Sequence, residues 1–137
     1  MKRRAFVLLN RAVNVVVARL KPRRFRGGDL LILTTTGRKS GKERTTPLLY
    51  LADGERWLVV ASNGGADWEP GWWLNLRAGG TGTVELDGVR STVSGTEMDG
   101  SEREDAYRRL CREVFDYESY QRKVSRRLAV VALTPAS

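Results

Sequence analysis

The sequence predicts a mainly β (α+β) fold: a small, partly closed antiparallel barrel of six strands, with an N-terminal helix and short flanking helices. Three observations predict it. Three strand-like segments, LLILTTT, RTTPLLYL and RWLVVAS, follow one another with only tight turns between them. A parallel doubly wound sheet would need a crossover helix at each of those junctions. Asp53-Gly54 and Asp87-Gly88 are hairpin-turn dipeptides set between apolar runs. The length of 137 residues suits one core, which at this size buries about two-thirds of the unfolded surface without a disulfide or metal staple.

Each element has a local reason. Phe6, Leu9, Val13, Val16, Val17 and Leu20 recur at helical spacing, so residues 2–20 read as an amphipathic helix. Arg23 to Gly28 reads as a linker. Leu30 to Thr36 is β-rich and opens the first strand. Gly37 to Lys42 is a tight connection, and Arg44 to Leu51 is the partner strand. Pro47 lacks a donor, which makes that strand an edge, bulged or locally open. Arg56 to Ser62 is the third strand, ended by Asn63-Gly64-Gly65. Glu69 to Ala78 reads as a short helix with Pro70 in its first turn. Thr83 to Leu86 and Val89 to Val93 form a second hairpin. Glu102 to Phe115 is helical, with Ser101 and Glu104 at capping-box spacing. Tyr117 to Ser125 is a second short helix, and Leu128 to Leu133 a last, buried strand.

Charge divides the chain. Nine of the 24 bases precede the first acid, Asp29. The other 15 meet 16 acids, so residues 29–137 sum to −1 against a net charge of +8 for the whole. The division expected is a basic arm, 1–28, and a neutral body, 29–137. A neutral body argues against a nucleic-acid-binding barrel. The arm can pack on the body, lie on an anionic membrane, or serve as a signal or nucleic-acid arm. Asn10, Arg11 and Asn14 interrupt its apolar run and argue against a secretory signal or a membrane span. The expected location is cytoplasmic, with peripheral contact at the inner face of the membrane.

Composition also removes chemistries. There is no His and one Cys. That excludes a Ser-His-Asp triad, a His general base, His-ligated metals, Cys-cluster metal sites and an intramolecular disulfide. Cys111, without a His partner, reads as inert.

Four features remain that can carry chemistry. Gly37 to Arg44 puts four bases and two glycines in eight positions, suited to an anion and equally to a solvated turn. Ser62-Asn63-Gly64-Gly65 can present backbone N–H groups as an anion nest or be a plain loop. Trp72 and Trp73 point about 100° apart on a helix, so one can enter the core while the other faces a cleft. Tyr117 and Tyr120 share a helix face and offer phenols in a chain without His.

In order, LLILTTTGRKSGKERTTPLLYL, VVASNGG, WWLNL and YESYQ resemble the deazaflavin (coenzyme F420)-dependent nitroreductase and quinone reductase family. The resemblance spans about Asp29 to Pro135. It implies a split β-barrel like those of FMN-binding flavoreductases, and reduction of a quinone, nitroaromatic or enone by hydride from the reduced coenzyme. By position it implies that Gly37, Arg38, Lys39 and Arg44 hold the phosphate and acidic tail. Pro47, Ala61, Ser62, Asn63, Gly64 and Gly65 would then line the ring, with Trp72 as a wall. Tyr117 and Tyr120 would close the pocket, with Ser62 and the two phenols as catalytic candidates. Two positions depart from the family pattern. Asn63 stands where a Lys is common, and Val114, beside Phe115, stands where nitro-reducing members carry Tyr. Asn63 removes one cation from the anion site, and Val114 removes a group that could donate a proton to a nitro acceptor or orient it. Two rival readings are an FMN enzyme on the same barrel and a non-catalytic module that binds the coenzyme or a membrane.

Overall fold

The computed structural model describes residues 24–25 and 28–136. The predicted N-terminal helix over 2–20 lies outside them. The described residues form eight strands: β1 (Arg24–Phe25), β2 (Gly28–Thr36), β3 (Glu43–Leu49), β4 (Leu51–Asp53), β5 (Arg56–Ala61), β6 (Thr81–Leu86), β7 (Val89–Glu97) and β8 (Ala129–Pro135). Three helices accompany them: α1 (Gly71–Gly79), α2 (Gly100–Glu113) and α3 (Tyr117–Gln121). A 3-10 turn covers Asn63–Gly65.

The expected six strands become eight for two reasons. The stretch read as a linker contains β1, which pairs Arg24 with Asp29 and Phe25 with Gly28. The single strand expected over Arg44 to Leu51 divides at Tyr50, because its halves serve different neighbours: β3 pairs with β2 and β4 with β5. All pairs are antiparallel, in the order β3-β2-β6-β7-β8-β5-β4 with β1 beside β2. The ends of that order, β3 and β4, are consecutive in the chain. The barrel is therefore split, and the chain at Tyr50 spans the gap. Pro47 sits opposite Ile32 on β3, which among the described residues pairs only with β2, so its missing donor costs no ladder bond.

Alternation decides which strands are covered. On β2, Leu31, Leu33 and Thr35 are buried while Ile32 and Thr34 are only partly so. That is a half-buried strand with period two. β5 and β8 carry unbroken apolar runs and are buried on both faces. Val59, Ala61, Ala129, Val131 and Leu133 join an inner cluster with Leu31, Leu33, Trp72, Trp73 and Leu76. Leu58, Val60, Val130 and Ala132 join an outer cluster under α2 and α3, with Ala106, Leu110 and Tyr117.

Helix α1 fills the inner face. It starts after Pro70 and stops at Gly80, whose φ of 85° is left-handed and whose N–H returns to Leu76 O at 2.7 Å. Both tryptophans enter the core, 7% and 2% exposed. The reason is that α1 is packed against β2, β6 and β7 together, which turns two adjacent faces inward. Glycine makes that close seat possible: a Cβ on Gly95 would lie 2.3 Å from Leu76 Cδ2. The predicted capping box on α2 does not form. Asp99 is the N-cap, and Glu104 pairs instead with Arg103 and Arg127.

Candidate functional site

The β2–β3 connection is built from short-range bonds. Gly37 N–H donates to Lys42 O at 2.7 Å, and Gly41 N–H to Gly37 O at 2.8 Å. Gly41 has φ +73°, a region in which L side chains are strained. Arg38, Lys39 and Lys42 are exposed on this turn, and Arg44 is half-buried opposite Thr35. Glu43 is the acid among them. The turn is a concentrated positive surface carrying fork-shaped donors suited to phosphate or carboxylate.

Sequence reasoning missed what holds that surface. Asn75 of α1 is 7% exposed, and its Oδ1 accepts from Arg38 N–H at 3.1 Å and Arg38 Nη1 at 2.9 Å. Its Nδ2 donates to Thr35 Oγ1 at 3.4 Å. One amide therefore ties helix, strand and cation together. The signal was a polar residue inside the apolar run WWLNL, because a buried amide needs partners.

The second candidate region follows β5. Ala61 is buried in the inner cluster and paired with Ala129. Ser62 is right-handed (φ −83°), and Asn63, Gly64 and Gly65 are left-handed at φ 51°, 63° and 84°. A right-to-left change turns successive N–H groups toward one side, the geometry of an anion nest. Asn tolerates the left-handed position better than Lys. Here its Nδ2 donates to Trp68 O at 3.0 Å. Gly65 N–H closes on Ser62 O at 3.0 Å, and Ala66 N–H on Asn63 O at 3.1 Å. Arg126 spans the other side of the turn, with Nη1 on Ala61 O, Nη2 on Ser62 O and two donors on Ala66 O. Sequence reasoning also missed Arg126, and no local pattern points to it.

The two tyrosines share the outer cluster and Phe115, and differ in depth. Tyr120 lies on the turn: a Cβ at Gly65 would come within 3.0 Å of its Cδ1. Its ring is 5.0 Å from Phe115 and 5.7 Å from Lys123 Nζ. Tyr117 is 4% exposed in the outer cluster, edge-on to Phe115. Burial pushes its phenol well above the usual range, so it stays protonated. Val114 and Phe115 are partly buried against the same cluster.

The structure thus brings Ser62, Asn63, Gly64 and Gly65 together with Tyr120, and Gly37 and Arg38 together with α1. Ala61, which immediately precedes the turn, and Trp72 both belong to the inner cluster. Pro47 is half-buried on the edge strand, and Lys39 and Arg44 extend the positive surface. Tyr117 supports α3 from beneath. Asn75 stands four residues into α1, about 6 Å from its start, so the hairpin is anchored on that helix.

Comparison with known proteins follows the same lines. The family model for F420H(2)-dependent quinone reductase matches residues 2–135. The chain is 37% identical over 109 residues to an F420H(2)-dependent quinone reductase of Mycobacterium tuberculosis, covering 76% of this chain and 72% of that one. A solved F420-H2 dependent reductase is similar at 31% identity and a TM-score of 0.69, over 76% of this chain and 92% of that one. A second solved structure, described as a domain-swapped dimer, is 28% identical with a TM-score of 0.69, over 88% and 96%.

Proposed function

The chain belongs to the F420H(2)-dependent quinone reductase family, and on that premise we propose that it passes a hydride from reduced F420 to a small electrophile, a quinone before a nitroaromatic or an enone. It is an oxidoreductase, and its coenzyme is F420. Two observations carry the reading: a cationic hairpin anchored to α1 by Asn75, and a donor-rich turn covered by Tyr120.

The donor set fits the coenzyme. Arg38, Lys39 and Arg44, with Gly37 allowing close approach, hold its phosphate and acidic tail. The N–H side of Ser62 and Asn63, with Gly64 and Gly65, takes the polar edge of its ring. Pro47, Ala61 and Trp72 give that region apolar support. Reduced F420 supplies the hydride when bound, and the protein supplies position and exclusion of water. Ser62 and Tyr120 are the polar groups that orient an acceptor. Tyr117 contributes through the seat it gives α3. Val114, where nitro-reducing members carry Tyr, packs with Phe115 against the outer cluster and offers no phenol to a nitro acceptor.

A fluorescence titration with F420 beside FMN at equal salt, followed by menadione-driven oxidation of the reduced coenzyme, tests this. Micromolar or tighter binding of F420 with acceptor-dependent turnover is expected. FMN bound alone would overturn the coenzyme assignment, and F420 bound without turnover would make the protein a carrier.

The charge division favours one addition. The nine bases that precede Asp29 hold the enzyme at an anionic, cytoplasmic membrane face where quinones dissolve. Each base near such a surface contributes about 1 kcal/mol. Among the described residues no helix is long and apolar enough to cross a membrane. Equal partitioning onto anionic vesicles with and without residues 1–26 would end this idea.

A further inference from the structure

Arg126 lies between α3 and β8 and is half-buried. Its Nη1 donates to Ala61 O at 3.1 Å, and its Nη2 to Ser62 O and Ala66 O at 3.0 Å each. Its Nε adds a 3.3 Å bond to Ala66 O. These four bonds all end on backbone oxygens at least 60 residues away in sequence. Burial lowers its pKa, while Asp67 and Glu69 act in the other direction through space.

Three carbonyls gathered at one guanidinium have a consequence for the opposite side. A trans peptide is planar, and its C=O and N–H point in opposite directions. No cis bond is present among the described residues. With Ala61 O and Ser62 O turned to Arg126, the N–H groups of Ser62 and Asn63 are turned away from it. The turn thereby has an acceptor side, satisfied by one cation, and a donor side. A planar fork can span three oxygens in this way, whereas an ammonium is a point charge.

The far end of the same residue is held as firmly. Gln121 of α3 donates from Nε2 to Arg126 O at 2.8 Å and accepts from Leu128 N–H at 2.9 Å. The preceding residue, Tyr120, lies against Gly65. The contacts close a ring: turn, Arg126, Gln121, Tyr120, turn.

We propose that Arg126 is a positioning residue for the hydride-transfer reaction, fixing the donor side of the Ser62–Gly65 turn on which the deazaflavin ring is held. The proposal rests on the reading of that turn as the ring site. Arg126 itself acts through the carbonyls it gathers.

The test uses the full chain with Arg126→Lys, which keeps the charge and loses the fork. Coenzyme Kd and KM rise about tenfold, kcat at saturating coenzyme falls several-fold, and the acceptor KM moves less than twofold. In the coenzyme-free protein, amide exchange quickens at residues 62–66 and is unchanged at 37–44. A smaller folded fraction would lower kcat and leave both KM values alone, so the split separates positioning from partial unfolding. Arg127→Ala, which removes the neighbouring exposed cation, leaves all of these unchanged; an equal effect there would reduce the role of Arg126 to net charge and overturn the proposal. Gly65→Ala, strained at its φ of +84° and crowding Tyr120, tests the underlying reading. If it leaves coenzyme binding and turnover intact, the turn is not the ring site and both ideas fall. If it impairs them while Arg126→Lys does not, only the role of Arg126 falls. Should Arg126→Lys lose its near-UV signal, guanidinium added below denaturing levels to Arg126→Gly restores coenzyme affinity, and no rescue would overturn the assignment.

Discussion

The hairpin at residues 37–42 and the turn at 62–65 both carry glycines and both close on themselves with two backbone bonds, and they differ in what holds them from outside. The hairpin is touched by one amide, Asn75. Its cations stay exposed. The turn is gripped from outside, by Arg126 beneath its carbonyls and Tyr120 against Gly65. The difference teaches a division of labour. An exposed cationic hairpin can adapt to a long, flexible anionic tail. A turn held on two sides can fix a rigid ring, which hydride transfer requires.

The largest expected effect comes from unseating α1, the helix that anchors the hairpin. Gly95→Ala puts a Cβ 2.3 Å from Cδ2 of the fully buried Leu76 of α1. The expected cost is about 1–3 kcal/mol, as for overpacking generally. It is read as a lower Tm together with weaker coenzyme binding and slower turnover. An unchanged Tm would mean α1 is not seated through that contact.

Asn75→Ala separates the regions. It frees Arg38 and leaves the turn alone. Coenzyme affinity falls about fivefold, near the 1 kcal/mol of a typical hydrogen bond. Amide exchange rises at residues 37–42 and not at 62–66. Equal loosening of both regions would contradict the separation.

The smallest effect lies away from both. Arg109, then Arg56, hold the Asp53 carboxyl below its usual value of 3.8. A lowered carboxylate pKa stabilises the fold above about pH 4, and that stability is lost as pH falls through the lower folded value. Asp53→Asn therefore flattens the acid limb of Tm against pH and leaves coenzyme affinity unchanged. A shift in affinity would tie the β4–β5 hairpin to the site.

How much was legible follows from the range of each interaction. The antiparallel barrel was readable because its hairpins are local: Asp87 and Gly88 take φ of 52° and 80°, as the dipeptide implies. The double burial of β8 was readable from the unbroken run LAVVAL. The cationic hairpin was readable because its charges are adjacent in sequence. The division at Tyr50 was not, since only the pairing of β3 and β4 with different strands reveals it. Nor was the burial of both tryptophans, which depends on three strands meeting one helix. Spacing placed Tyr117 and Tyr120 on one face, and both do pack on Phe115 and the outer cluster; that Tyr120 also reaches Gly65 was hidden, because the turn lies far away in sequence. Arg126 was invisible because the oxygens it gathers lie 60 to 65 residues away.

The central claim is that the hairpin holds the coenzyme's anionic tail while the turn positions its ring. The most direct measurement is the F420 affinity of Arg38→Ala with Lys39→Ala, taken across a salt series beside kcat at saturating coenzyme. The account predicts a loss of tenfold or more, about 1.4 kcal/mol, a shallower salt dependence than the parent, and a kcat within about twofold of it. Unchanged affinity and an unchanged salt slope would contradict it and move the anion site elsewhere on the molecule.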